Sequence, residues 1–464
     1  MVKRLMIAGT GSGCGKTTVT CALLAALVSL EQSISSFKCG PDYIDPMFHK
    51  KITGIESRNL DIFLMGEAGV NFSLAQQSKG QEIAVLEGVM GIYDGLGSGS
   101  FASSNHISTL TATPAILVVN AKGSALSICA LIKGFLEFEP NNIQGIILNN
   151  ISESMFNFYQ QLIEERLPTK VIGFLPQLPG AQFASRHLGL ITAAEINDLK
   201  AKIKLLKEAA LKYIDITALL EIAAQAPPLN CQADYLLPQA ANNQPTIYIT
   251  DDEAFCFYYQ DNHDLLQKLG AKLKFFSPLN DRALPADADG LILWGGYPEL
   301  YAAKLAQNTS MKQSLTAAIT AGLPVYAECG GFVYLQQSLT DLQGNRQQML
   351  GVLPGDIRMT SKLQNFGYYE LTAQRSNLLC QAGDKINAHF FRYSESDCEG
   401  DCFLARKANG KQFPCIVASN NIFAGYQHLH FWGNPAFAKQ FVKACAEYKR
   451  GAKPDGPNNQ PTGN

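Results

Sequence analysis

The chain has 464 residues, of which 47% are apolar and 17% are charged. That length predicts about two to four domains, and the apolar fraction argues against a disordered chain. A formal net charge of −2 gives no electrostatic reason to expect a nucleic acid or an anionic membrane as partner. We expect no signal peptide, no membrane span and, for the twelve scattered cysteines, reduced thiols in the cytoplasm.

The first half of the chain alternates strand-like apolar runs with helical ones. The strand candidates are 5–8, 35–38, 83–87, 115–119, 145–148 and 170–174. The helix candidates are 17–30, 124–137, 154–167 and 192–225. Strands that alternate with helices through short loops predict a parallel sheet covered on both faces. We therefore expect residues 1–225 to form one doubly wound α/β domain.

A segment rich in Pro, Gln and Asn, residues 226–245, is predicted to be a linker. The same alternation restarts after it. Its strand candidates are 246–250, 273–276, 290–294 and 324–327. They predict a second doubly wound parallel-sheet domain over 246–449. Residues 450–464 have no apolar periodicity and are expected to form a disordered tail.

The glycine-rich loop after the first strand has the layout of a nucleotide-phosphate site. Glycines let backbone N–H groups surround phosphate oxygens, and the N-terminus of the following helix adds partial positive charge. Lys16 is expected to reach the β- and γ-phosphates, and the Thr17 hydroxyl to ligate Mg²⁺. The loop departs from the usual pattern because Thr10 stands where that pattern has glycine. The candidate ligands of ATP or GTP are Gly11, Gly13, Gly15, Lys16, Thr17 and Thr18.

A second strand–turn–helix pattern, at 323–332, places Cys329 at the turn. The small residues Gly330 and Gly331 permit a sharp turn that lifts the cysteine side chain above the sheet, as in hydrolases with a nucleophilic serine. The N-terminus of the following helix favours the thiolate over the thiol. Cys329 is therefore the candidate nucleophile.

A cysteine nucleophile needs a base, an orienting group and oxyanion donors. His428 and His430 would point the same way on a strand, and Gly295 and Gly296 follow an apolar strand with free N–H groups. Together these residues resemble class I glutamine amidotransferases, which release ammonia from glutamine. The histidine motif of that family ends in glutamate two residues after the base. His430 holds that position here, so we expect His428 to be the base and His430 its partner.

Four longer motifs carry a more specific resemblance. They are FKCGPDYIDPMFH at 37–49, LEGVMGIYDG at 86–95, SRHLGL at 185–190 and MTSKL at 359–363. With the loop at 9–17, they are similar to the cobyrinic acid a,c-diamide synthase family, in which a dethiobiotin synthetase-like ATP domain precedes the amidotransferase domain. The resemblance spans residues 5 to about 445. It implies that ATP and L-glutamine are used to amidate the a and c acetates of a corrin polycarboxylate.

Several residues of the first domain fit this chemistry. Lys38 ends a strand beside the glycine-rich loop, where a cation neutralises a phosphoryl group in transfer. Glu87 also ends an apolar strand, a usual position for a Mg²⁺ carboxylate, and Asp42 is expected to serve the same metal. Asp45 and Asp94 match family motifs and are expected catalytic residues. The resemblance implies that the substrate contacts Asp42, Tyr43, Ile44 and Asp45.

Some alternatives stay open at this stage. The substrate could be nickel-sirohydrochlorin or hydrogenobyrinic acid, whereas cobyric acid synthase should lack the GPDYIDP run. A regulatory P-loop ATPase with an inactive second domain would require a broken Cys–His pair. The family pattern GHEFHYS appears here as AHFFRYS at 388–394, with Arg392 at a histidine position. A guanidinium pairs with carboxylates more tightly than imidazole does. The choice between ATP and GTP, and homo-oligomerisation, are not decided by the sequence.

Overall fold

The computed structural model describes residues 2–181, 185–186, 189–190, 196, 198–229 and 243–451. The chain divides into two units, Met1–Tyr235 and Leu236–Asn464. Residues 230–242 and 452–464, which make up most of the expected linker and tail, lie outside the described residues, so the domain boundaries stay predictions. Of the motif at 185–190, only the backbone of two short strands is described. No described helix has both the length and the apolar character that crossing a bilayer requires.

The first unit alternates strands and helices, as the sequence predicts. Its strands are β1 (Lys3–Gly9), β2 (Ile34–Cys39), β3 (Arg58–Leu60), β4 (Ile83–Glu87), β5 (Ala115–Asn120), β6 (Ile143–Asn149), β7 (Val171–Leu175), β8 (Ser185–Arg186) and β9 (Gly189–Leu190). Its helices are α1 (Lys16–Ser29), α2 (Ile44–Thr53), α3 (Ile62–Ser78), α4 (Ser104–Leu110), α5 (Ser127–Glu137), α6 (Glu153–Glu164), α7 (Leu199–Tyr213) and α8 (Ile216–Ala223).

Within the described residues of this unit, β1 to β7 form a seven-stranded sheet in the order β3-β2-β4-β1-β5-β6-β7. All its pairings are parallel. The apolar run of β1 lies at the centre of the sheet and is buried. Because parallel strands end at the same edge of a sheet, the loops after β1, β2 and β4 meet at one edge. That edge carries the glycine-rich loop and the expected acidic residues.

Polar side chains determine where several helices begin. Asp42 Oδ1 accepts hydrogen bonds from the N–H groups of Ile44 and Asp45, at 2.8 and 3.0 Å, and so caps α2. The sequence predicts one helical stretch over 192–225, but the described part of it forms two helices. The break follows from Asp215, whose carboxylate accepts a hydrogen bond from the N–H of Ala218 at 2.9 Å and starts α8.

The second unit contains more strands than the sequence predicts. Its strands are β10 (Thr246–Thr250), β11 (Lys272–Phe276), β12 (Gly290–Leu293), β13 (Val325–Glu328), β14 (Ser338–Thr340), β15 (Arg346–Gln348), β16 (Asp356–Ala373), β17 (Lys385–Ser396), β18 (Phe403–Arg406), β19 (Gln412–Cys415), β20 (Val417–Ala418), β21 (Ile422–Gly425) and β22 (His428–Leu429). Its helices are α9 (Gln260–Lys268), α10 (Ala302–Gln307), α11 (Thr309–Thr320), α12 (Gly330–Leu335) and α13 (Pro435–Lys449).

Two sheets organise the described part of this unit. The first has the order β11-β10-β12-β13-β21-β20 and is parallel except for its last pair, which confirms the α/β class of the second domain. The second sheet has the order β15-β14-β16-β17-β22, with β18 and β19 beside it, and is mostly antiparallel. Its long hairpin of β16 and β17 was not predicted. Through β17 and β22 this sheet pairs His389 with the expected base, His428.

The contact between α12 and the parallel sheet requires glycine at position 331. A Cβ atom on Gly331 would lie 2.1 Å from the carbonyl oxygen of Leu293. We predict that Gly331→Ala lowers the free energy of unfolding by at least about 1–3 kcal/mol, because backbone must move to admit the methyl group. Denaturant unfolding measures the loss. Gly134→Ala is the control, since no atom lies within 4 Å of its Cβ position in α5, and it should stabilise slightly. Equal effects of the two substitutions would contradict this packing.

Candidate functional site

The glycine-rich loop connects β1 to α1 at the carboxyl edge of the first sheet. Gly13 and Gly15 have φ angles of 75° and 105°, in the left-handed region that favours glycine. The Lys16 side chain folds over the loop, and its Nζ donates hydrogen bonds to the carbonyl oxygens of Gly11, at 2.9 Å, and Met90, at 2.5 Å. Burial lowers the pKa of Lys16. The loop thus joins a buried cation to the N-terminus of α1, as a phosphate site requires.

Lys38 and Glu87 meet beneath this loop because their strands pair. They are register partners on the neighbouring parallel strands β2 and β4, so their side chains lie on one face of the sheet. Lys38 Nζ lies 2.9 Å from Glu87 Oε1 and 2.6 Å from Asp45 Oδ2. Burial alone would lower the pKa of Lys38, but the carboxylates of Asp45 and Glu87 raise it well above its usual value. Lys38 is therefore a buried ammonium ion.

Both oxygens of Glu87 are engaged. The Thr17 hydroxyl donates a hydrogen bond to Oε1 at 2.7 Å, and His49 Nε2 lies 2.8 Å from Oε2. Burial alone would raise the pKa of Glu87, but Lys38 and His49 lower it below its usual value. Sequence reasoning missed His49, although it follows Asp45 by four residues on α2 and so shares its helix face. Its other ring nitrogen lies 3.2 Å from Ser57 Oγ.

The expected acidic residues separate into different positions. Asp45 belongs to the cluster, where burial and the carboxylates of Asp42 and Glu87 raise its pKa. One oxygen of Asp42 caps α2, and its expected role as a metal ligand stays a prediction. Asp94 is exposed and accepts a hydrogen bond from the N–H of Gly91 at 2.7 Å, which forms a turn. The side chains of Tyr43 and Ile44 are buried.

The turn at Cys329 has the sharp geometry that the sequence predicts. Strand β13 ends at Glu328, Cys329 has φ 48° and ψ −104°, and α12 begins at Gly330. A positive φ is rare for a residue other than glycine and marks local backbone strain. The N–H of Cys329 donates a hydrogen bond to the carbonyl oxygen of Gly425 at 2.8 Å, which fixes the turn against β21. The half-buried thiol sits at the N-terminus of a helix.

His428, the expected base, faces this thiol. Burial alone would lower the pKa of His428. Charge and hydrogen-bond interactions with Cys329 and Glu328 instead raise it to about 10. Gly295 lies close to the same ring. A Cβ atom added to Gly295 would be 2.7 Å from His428 Cε1 and 3.4 Å from Cys329 Cβ. The amide nitrogen of Gly296 would lie 2.9 Å from a Cβ on Gly330. The structure therefore brings both expected oxyanion glycines to the turn.

The residue that contacts the Nδ1 atom of His428 is Glu328, whereas the expected partner, His430, makes no hydrogen bond to it. His428 Nδ1 lies 3.2 Å from Glu328 Oε1, and the Tyr326 hydroxyl donates a 2.6 Å hydrogen bond to Oε2 of the same carboxylate. Strand β22 ends at Leu429, and His430 directly precedes the short 3₁₀ turn Phe431–Gly433. Neither ring nitrogen of His430 has a hydrogen-bond partner among the described residues. Burial lowers its pKa to about 3.

Sequence reasoning could have found Glu328. It precedes Cys329 directly and ends a buried strand, which is the same signal that singled out Glu87 in the first unit. A carboxylate with no solvent exposure must be paired, and the candidate base is the cation that pairs with it.

The fold and the two sites define a chain with a nucleotide-binding domain and a glutamine amidotransferase domain. Residues 5–190 match the family model of the CobQ/CobB/MinD/ParA nucleotide binding domain, and residues 246–436 match that of the CobB/CobQ-like glutamine amidotransferase domain. The chain belongs to the cobyrinate a,c-diamide synthase family. This membership confirms the expectation of an enzyme of the glutamine-dependent amide ligase class.

Three relatives illustrate the match. The chain is 40% identical to the cobyrinate a,c-diamide synthase of Clostridium tetani, over 95% of this chain and 100% of that protein. It is 39% identical to the cobyrinate a,c-diamide synthase of Clostridium acetobutylicum, with the same coverage of both chains. It is 36% identical to that of Caldanaerobacter subterraneus, over 97% of this chain and 100% of the other.

The buried cluster around Glu87 predicts a large cost for removing its cation. Lys38→Met leaves the carboxylates of Glu87 and Asp45 without their ammonium partner, so we expect a loss of about 3–5 kcal/mol in the free energy of unfolding. Lys50→Met is the matched control, because Lys50 pairs with Glu56 at the surface and should contribute less than about 1 kcal/mol. Denaturant unfolding at pH 7 compares them. A loss as small as that of the control would show that Lys38 does not hold the cluster together.

Proposed function

We propose that this protein converts the a and c acetate carboxylates of cobyrinic acid to amides, with ATP as the activating nucleotide and glutamine as the source of ammonia. The observation that carries the proposal is the occurrence of both sites in one chain that spans the full length of relatives with this name. One site presents a buried cation and a helix N-terminus to a phosphate, and the other presents a thiol, a base and an orienting carboxylate.

In the second unit, the Cys329 thiolate attacks the side-chain amide carbon of glutamine. The oxyanion that forms accepts hydrogen bonds from backbone N–H groups at Gly296 and Gly330, which the turn brings together. His428 gives its proton to the leaving nitrogen, the C–N bond breaks, and ammonia departs. Water then hydrolyses the thioester to glutamate, with His428 as base. Glu328 keeps the imidazole ring oriented throughout and stabilises its charged form.

In the first unit, the γ-phosphoryl group of ATP passes to a substrate carboxylate, which yields an acyl phosphate and ADP. The N–H groups from Gly11 to Thr18 surround the phosphates, while Lys16 and Lys38 neutralise charge during transfer. Ammonia then attacks the acyl carbon, phosphate leaves, and an amide bond forms. Repetition at the second acetate gives the diamide.

The residues at the loop fit a Mg²⁺ ion. Thr17 and Glu87 present oxygen donors 2.7 Å apart, and oxygen ligands are the ones that Mg²⁺ prefers. No group of three or more His, Cys, Asp or Glu side chains suited to metal binding occurs among the described residues. That agrees with Mg²⁺, which takes one or two protein ligands and completes its shell with phosphates and water. Thr17 and Glu87 would hold the ion, and it would supply charge neutralisation at the phosphates.

The substrate carboxylate is proposed to approach the cluster from the loop that carries Asp42, Tyr43 and Ile44. Asp45, ion-paired with Lys38 at 2.6 Å, is proposed to act in catalysis beside the incoming carboxylate. Asp94 lies exposed at the turn after Gly91 and is proposed to position substrate or ammonia.

The choice of tetrapyrrole is tested by product mass. The full chain is incubated with ATP, Mg²⁺, glutamine and either cobyrinic acid, hydrogenobyrinic acid or nickel-sirohydrochlorin. The proposal predicts two successive replacements of hydroxyl by amino groups on cobyrinic acid. The same change on nickel-sirohydrochlorin alone would assign the protein to that substrate, and no change on any of them would refute a tetrapyrrole substrate.

Removing the thiol should separate the two half-reactions. We predict that Cys329→Ser lowers glutamine-dependent amidation by about 10³-fold or more, because the nucleophile is lost, and leaves ammonium-dependent amidation near its original rate. Cys398→Ser, at another half-buried cysteine of the same unit, is the control and should change neither rate. Amide formation from glutamine and from ammonium chloride is measured in parallel. Equal loss with both nitrogen sources would contradict the assignment.

Glu328 should control the protonation of the base. Glu328→Gln removes a negative charge 3.2 Å from His428 Nδ1, which lowers the pKa of His428. The alkaline limb of the kcat/KM profile for glutamine hydrolysis should therefore move to lower pH, and kcat should fall by about 10²–10⁴-fold. Glu395→Gln, at an exposed glutamate on β17, is the control. A pH profile that does not shift would show that Glu328 does not act on His428.

A further inference from the structure

Arg392 on β17 is a buried charge that the proposed chemistry does not use. Its side chain is 4% exposed, and its Nη2 lies 2.8 and 2.9 Å from the two carboxylate oxygens of Glu399. Its Nε and Nη1 are buried and have no hydrogen-bond partner among the described residues. A guanidinium group is always charged and cannot lose a proton in a protein. Buried N–H groups of a guanidinium that lack a hydrogen-bond partner are therefore costly in free energy. Donors of this kind point to a ligand.

Arg392 lies beside the glutamine-hydrolysing site. Its guanidinium carbon is 3.7 Å from the ring centroid of Tyr426, which lies between β21 and the base on β22. Burial raises the pKa of Tyr426. The charge of Arg392 lowers that pKa, whereas the charges of Glu399 and Cys329 raise it. Arg392, Glu399 and Cys329 therefore all lie within electrostatic reach of the Tyr426 hydroxyl. A backbone hydrogen bond also places Tyr426 near the nucleophile, because the N–H of Cys329 donates to the carbonyl oxygen of Gly425, the residue before Tyr426.

We propose that Arg392 and Glu399 form the receptor for the charged end of glutamine, with Arg392 on its α-carboxylate and Glu399 on its α-ammonium group. This rests on the proposed glutamine hydrolysis. When the side-chain amide carbon of glutamine lies at Cys329, the α-carbon of glutamine lies only a few carbon atoms away. That α-carbon carries both the carboxylate and the ammonium group. An arginine and a glutamate in contact present the two complementary charges at one place. Glu399 is the more exposed of the two, at 25%, and so can meet an entering ammonium group.

The test compares glutamine with 4-aminobutanamide, which has the same amide and amine but no carboxylate. Ammonia release is measured with both amides on the full-length protein. We expect kcat/KM for glutamine to exceed that for 4-aminobutanamide by about 10- to 100-fold, the range of a hydrogen bond to a charged group. Arg392→Met, which keeps an unbranched chain against Tyr426, should lose most of this ratio through a fall in kcat/KM for glutamine alone.

Two further variants make the comparison specific. Arg375→Ala removes an exposed arginine that pairs with Asp401 in the same unit, and it should keep the full ratio. Arg392→Lys keeps a positive charge and replaces the methionine variant if that one fails to fold. It should retain only part of the ratio, because an ammonium group lacks the guanidinium's donor geometry.

The outcomes separate this inference from the function on which it rests. Equal losses with both amides in Arg392→Met would assign Arg392 a structural role and overturn the proposal. A ratio near one in the unsubstituted protein would also overturn it, while glutamine hydrolysis would stand. No ammonia release from glutamine by the unsubstituted protein would refute the hydrolysis itself.

Discussion

A buried glutamate at the end of a parallel strand organises each half of this chain. Glu87 ends β4 and Glu328 ends β13, and neither side chain is exposed. An isolated charge cannot persist in such a place, so each carboxylate must find partners for both oxygens. Glu87 does so with Lys38, Thr17 and His49, and Glu328 with His428, Tyr326 and the N–H of Leu429. Three of these partners, Lys38, Thr17 and His428, are groups proposed to take part in the chemistry.

The two carboxylates differ in what they hold. Glu87 fixes a lysine and a hydroxyl beside the glycine-rich loop and the N-terminus of α1, which is an electrostatic arrangement suited to a polyphosphate. Glu328 fixes the imidazole of His428 beside the thiol of Cys329, whose backbone has a φ angle of 48°. This arrangement is suited to nucleophilic attack. Cys329 and Glu328 together raise the pKa of His428 to about 10, which favours the protonated ring that the proposed mechanism uses to release ammonia.

Local patterns predicted much of this structure. Six of the seven strands of the first sheet follow from apolar runs, whereas β3 was not predicted. The turn at Cys329 follows from its small residues, and the nucleotide loop follows from its glycines and Lys16. The features that the sequence did not predict depend on contacts between residues far apart in the chain. The hairpin of β16 and β17 has a mixed polar pattern and shifts in register, so no clean alternation marks it. His430 lies near His428 in sequence, but β22 ends between them, and Glu328, about a hundred residues away, takes the expected place.

The central claim is that nitrogen released at one site becomes the amide made at the other, with ATP consumed at the first unit. The most direct measurement uses glutamine labelled with ¹⁵N in its side-chain amide and follows the mass of the cobyrinic acid product while ADP is counted. The account predicts that both new amides carry the label and that one ADP forms for each amide. Unlabelled amides, or labelled amides formed without ADP, would contradict it.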